Sequence, residues 1–117
     1  MSAVLSEADV HVELWRSFSS LLKAYAAAAS LNGTEHHVPA LEEEDLEIHA
    51  GGRKLDILYH VPTQQGRWSV VGDGFEERGY FQLTNGGAVV IEGSELDMDH
   101  GAIDLIARLT KSAGAML

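Results

Sequence analysis

The sequence predicts an α+β domain: an antiparallel, mostly meandering sheet of about five strands, flanked by a long N-terminal helix and a C-terminal helix. Three observations predict it. Apolar residues recur at helical spacing near the start and again near the end. Between them lie runs that alternate apolar and polar residues, punctuated by Gly51-Gly52 and Asn85-Gly86. Strands and helices do not alternate, which disfavours a parallel sheet. At 117 residues, with 45% apolar residues, the chain suits one domain over 1–117 with a real core.

The first helix is expected from about Ala8 to Leu31. Ser6 and Asp9 form a capping-box pattern, and Asn32-Gly33 is the expected stop. At 100° steps Val10, Leu14, Trp15, Phe18, Leu21, Leu22, Tyr25, Ala28 and Ala29 share one face. Asp9, Glu13, Arg16, Ser19, Ser20 and Lys23 share the other. Gly33 to Asp45, with its acidic run, reads as a solvated linker.

Strands follow. A two-residue turn at Gly51-Gly52 sets Ile48 opposite Leu55 and Leu46 opposite Ile57, so both strands turn their apolar residues to one face. "VPTQQG" breaks the chain, "RWSVVG" is a third strand, and "DGFEERG" reads as a mobile connection. "YFQLT" and "AVVIE" form a hairpin around Asn85-Gly86. With that pair as the whole turn, Tyr80, Val89 and Ile91 lie on the face away from Phe81 and Leu83, and Leu58 also points outward. A sheet apolar on both faces needs a second cover: the C-terminal helix, another copy of the chain or a ligand.

The final helix is expected from about Asp97 to Ala113, with Ser94-x-x-Asp97 as its capping box and Gly114 as its stop. Asp97, His100, Asp104, Arg108 and Lys111 gather on its outer face. Met98, Ala102, Leu105, Ile106, Leu109 and Ala113 gather on the inner one. Asp104 and Arg108 have the spacing of a surface ion pair. Asp97, His100 and Asp104 have oxygen and nitrogen donors one turn apart, as a divalent cation would need, but on a solvated face the spacing reads as capping. His36-His37 brings no third ligand at a recognisable spacing, so no metal site is expected.

Composition narrows function further. Eighteen acidic residues against eight basic ones give a net charge of −10. Phosphate backbones and anionic lipid are bound through Lys and Arg, so neither nucleic acid nor membrane is an expected partner. No cysteine is present, which removes thiol catalysis and sulfur-ligated zinc. No run is long enough to span a bilayer and "MSAVLSEADVHVELW" lacks a signal-peptide pattern, so a cytoplasmic location is expected. No phosphate cradle, cofactor motif or Gly-x-Ser-x-Gly nucleophile elbow is found. His49 and His60 fall on outward strand positions, and His11 falls on the apolar face of the first helix.

Two readings lead, and a metal-dependent function using Asp97, His100 and Asp104, or His36-His37, stands third behind them. One is a non-enzymatic, homodimerising interaction module, supported by the doubly apolar sheet and the alanine run Ala26 to Ala29. The other is a ligand-binding or enzymatic domain with a pocket between the sheet and the long helix, lined by His11, Trp68 and Tyr80. In element order and acidity the chain resembles small dimeric chaperones of secreted effectors, although the middle helix of such proteins is missing from "GDGFEER". The resemblance implies no site residue here.

Overall fold

The computed structural model describes residues 7–72 and 74–114, with side chains over 9–72 and 74–110. Two helices lie on one face of a seven-stranded antiparallel sheet. In chain order the elements are α1 (Glu7–Ala28), β1 (Asn32–Val38), a 3-10 turn (Pro39–Leu41), β2 (Glu43–Ala50), β3 (Arg53–His60), β4 (Gln65–Gly72), β5 (Phe75–Leu83), β6 (Ala88–Ile91), β7 (Ser94–Asp97) and α2 (Met98–Gly114). The spatial order is the sequence order, so the sheet is a pure meander.

α1 buries Leu14, Trp15, Phe18 and Leu22 of the predicted stripe, but Ala26 takes the inner place expected of Ala28 and Ala29, which are exposed. Ser19, expected to be wet, is also buried, and its hydroxyl donates to the Arg16 carbonyl at 3.2 Å. The helix stops before Asn32-Gly33. Ser30 takes φ 62°, its N–H bonds to Ala27 O at 2.9 Å, and Leu31 N–H bonds to Ala26 O at 2.8 Å. This is a Schellman ending with a serine at the left-handed position. Asn32 and Gly33 then open β1, so the expected linker is largely an edge strand. The Ser6 cap and the side chains of Lys111 and Ala113 lie outside the described residues.

The first hairpin matches expectation: Gly51-Gly52 turns the chain, Leu46 pairs with Ile57 and Ile48 with Leu55. The hairpin around Asn85 differs. Thr84 N–H bonds to Ala88 O at 2.9 Å, and Gly87 sits at φ 87°. The loop therefore has three residues, Asn85 to Gly87, with the last in the left-handed region. The extra residue inverts the far strand, and Phe81 pairs with Ile91 and Leu83 with Val89. Val89 and Ile91 are buried beneath the helices, not turned to the second face.

The two strands beyond the expected five are β1 and β7, and β5 starts earlier than expected. "DGFEERG" is largely strand: β5 begins at Phe75, which pairs with Gly72. β7 returns from β6 through Glu92 and Gly93, both at positive φ. The cap of α2 is accordingly Asp97, whose Oδ1 accepts from His100 N–H at 2.7 Å, while Ser94 belongs to β7.

The core lies between the sheet and both helices. Trp15 stacks on Tyr59 with ring centroids 5.1 Å apart, and Phe18 meets Phe81 at 5.7 Å. α2 contributes Ala102, Leu105, Ile106 and Leu109. α1 and α2 are tied by Tyr25, whose hydroxyl donates to Asp99 at 2.9 Å. The C-terminal helix thus covers the same face as α1 and leaves the other face of the sheet open.

Candidate functional site

Strand periodicity decides what reaches the open face. Alternate residues of β2 to β5, from Leu46, Leu55, Gly66 and Phe81 onward, are buried under the helices, and the residues between them point away. The pairing lines the outward residues up in rows across the strands. One row reads His36, Asp45, Leu58, Arg67, Tyr80. The next reads Thr34, Glu47, Asp56, Ser69, Arg78. Tyr80 is 74% exposed, Val71 is exposed at the end of β4, and Leu58 is half-buried between Asp45 and Arg67. A shallow hollow of about 330 Å³ lies among Asp56, Leu58, Arg67, Ser69, Arg78 and Tyr80.

Most charge on this face is divided by strand. Glu43, Asp45, Glu47 and Asp56 stand on β2 and β3 with Lys54 among them, and Arg67 and Arg78 stand on β4 and β5 with Glu76 among them. Glu47 is ringed by His49 at 3.6 Å, Lys54 at 3.8 Å and His36 at 3.9 Å. Arg67 and Arg78 are exposed and take part in none of the ion pairs among the described residues. Asp45 and Asp56 are neighbours on the diagonal, and the Oδ1 atom of each is out of water without a fixed partner. Burial pushes the Asp45 carboxyl up to about 7, helped by a hydrogen bond with Asp56 and by the charge of Asp56. Two carboxyls this close favour one shared proton over two full charges.

The three residues expected to line one pocket do not share one. Trp68 and Tyr80 both border the open-face hollow, but from opposite sides of the sheet. The Trp68 ring is buried toward α2, with the Arg108 guanidinium 4.7 Å from its centre. His11 lies elsewhere, at a second hollow of about 510 Å³ between the start of α1 and the end of the sheet. Val12, His37, Pro39, Glu44 and Val61 also line it. There His37 Nδ1 lies 2.6 Å from Glu44.

The other acid and histidine groups are engaged locally. Asp97 Oδ2 lies 2.7 Å from His100 Nδ1, and the His100 backbone N–H holds the Asp97 carboxyl below its usual range. Asp104 accepts from Arg108 at 2.8 Å, the expected i,i+4 pair, and Arg108 also reaches Glu77 at 3.1 Å and Glu92 at 3.2 Å. Among the described residues no group of three or more His, Asp or Glu side chains is placed to hold a metal ion. Among them, too, no helix is long and apolar enough to cross a membrane.

The rows of the open face were partly legible, since Leu58 and Tyr80 were expected to point outward. The Asp45–Asp56 pair was missed. Its signal was the correctly read Gly51-Gly52 turn: with Leu46 opposite Ile57, Asp45 and Asp56 must be diagonal neighbours on the other face. Compared with protein-family models, curated proteins and solved structures, the chain finds no match in any of the three.

Proposed function

We propose that the protein is a non-enzymatic interaction module that associates with a second copy of itself through the open face of its sheet. One observation carries the reading. Both helices cover the same face, and the other presents an exposed tyrosine beside two exposed arginines that enter no ion pair among the described residues. Tyrosine and arginine dominate the energetics of protein interfaces, because each combines a large contact area with hydrogen bonding. An acidic chain without cysteine fits a cytoplasmic setting and a protein partner better than a nucleic acid or a membrane.

Sedimentation velocity over a concentration series tests the reading. The expected mass tends toward twice 12.6 kDa as concentration rises, and Tyr80→Glu returns it toward the monomer. A wild-type chain that stays monomeric to high micromolar concentration overturns it. The hollow beside His11 favours a second reading, a small-ligand site between helix and sheet, where Glu44 and two histidines face apolar Val61 and Pro39. A monomer that retains a reproducible extra mass in native mass spectrometry favours that reading.

A further inference from the structure

We infer that the open face is complementary to itself about one particular axis: a two-fold running along the strands between β3 and β4. The inference rests on the self-association proposed above and specifies its geometry. Two chains of net charge −10 repel at a distance, so the surface that joins them must hold its own cations. Three of the chain's eight Lys and Arg side chains stand on this face: Lys54, Arg67 and Arg78.

Within one chain Glu47 has Lys54 beside it, whereas Arg67 and Arg78 enter no ion pair among the described residues. Adjacent strands lie roughly 4.8 Å apart, so Glu47 on β2 is about 14 Å from Arg78 on β5, beyond an intrachain ion pair. A second copy turned about the stated axis lays each row on itself in reverse. Glu47 then meets the partner's Arg78, and Asp56 meets the partner's Ser69. In the next row Asp45 meets the partner's Tyr80, and Leu58 lies along the stem of the partner's Arg67. Each pairing occurs twice. The same operation sets the partner's Tyr80 and Ser69 hydroxyls over the Asp45 and Asp56 carboxyl groups. Face-to-face sheets keep their strands within about 30° of one another, so the rows stay within reach of long side chains. Four strands of eight residues cover roughly 19 by 26 Å, about 500 Å² before side-chain relief. Interfaces of standard size bury about 800 Å² per partner, so this area suits a reversible dimer rather than an obligate one.

Charge exchange tests the axis, read by sedimentation with circular dichroism as the check on folding. Glu47→Arg and Arg78→Glu are each expected to weaken association about tenfold or more, by setting like charges face to face. An equal mixture of the two variants, and the double variant in one chain, are both expected to recover wild-type association to within about threefold. A measurement independent of charge uses the absence of native cysteine. Asp45→Cys mixed with Tyr80→Cys is expected to crosslink under mild oxidation, while either variant alone does so far less. This second test holds if Glu47→Arg fails to fold beside Lys54. Single variants that weaken the dimer without rescue overturn the axis, as does a dimer indifferent to both. In either case self-association itself survives. A monomeric wild type overturns both together.

Discussion

Asp45 stands on the open face between His36 and Leu58, with Asp56 on the diagonal. Its carboxyl is raised from an ordinary 3.8 to about 7, first by burial and then by Asp56. The folded state therefore holds a proton that the unfolded chain releases. Folded protein binds more protons between about pH 4 and pH 7, so this group's contribution to stability falls as pH rises through that window. Asp45→Asn removes the titration and supplies a permanent amide donor. The variant is expected to match or trail the wild type near pH 4 and to exceed it near pH 8. The gain is on the order of 1 kcal/mol once solvent screening at this part-open site is allowed for. Urea unfolding at the two pH values measures it; an advantage that does not grow with pH contradicts the assignment. Burial acts the same way on Tyr59: among the described residues its hydroxyl has no partner, and burial alone pushes it up to about 12.

At the scale of elements, the end of one loop decides a face. The loop from Asn85 to Gly87 holds one residue more than the two-residue turn that Asn85-Gly86 signals, and pairing resumes at Ala88 with Val89 and Ile91 in the core. Deleting Gly86 leaves Asn85-Gly87 as a two-residue Asn-Gly turn between the same partners, Thr84 and Ala88, so Val89 and Ile91 are expected to stay buried and the urea midpoint to stay near that of the wild type. A loss of about 4 kcal/mol, the burial of two aliphatic side chains, would show instead that the third loop residue is needed to hold the register. The same element marks the limit of pattern reading. Alternation fixes that a strand exists; a single loop residue fixes which half of it is buried. Helix α1 and the hairpin at Gly51-Gly52 were legible because their apolar spacing and their stop or turn signals agree. β1 was not, since His36, His37 and Glu35 give an edge strand no apolar rhythm. β7 was hidden because Ser94 and Asp97 also fit a helix cap, and only Asp97 serves as one.

For the molecule as a whole, the sheet and the helices were assembled by different rules. Every strand pairs with its neighbour in sequence, so the meander closes through short loops. α1 instead finds its contacts far along the chain: Trp15 on Tyr59, Phe18 on Phe81, and Tyr25 on Asp99, 74 residues away. Contacts made after the folding barrier change the unfolding rate more than the folding rate. Trp15→Ala is therefore expected to cost about 3–5 kcal/mol, mostly as faster unfolding, whereas Leu55→Ala in the first hairpin is expected to slow folding. Stopped-flow chevron plots separate the two arms, and a Trp15→Ala variant that mainly folds more slowly would place helix docking early. The meander has a consequence for biosynthesis. The ribosome makes α1 before the sheet, and its aromatic partners Tyr59 and Phe81 emerge only later. Until then the nascent chain carries an amphipathic helix with its aromatic stripe unhoused, and for that interval it is a ready substrate for whatever in the cell shelters bare apolar helices.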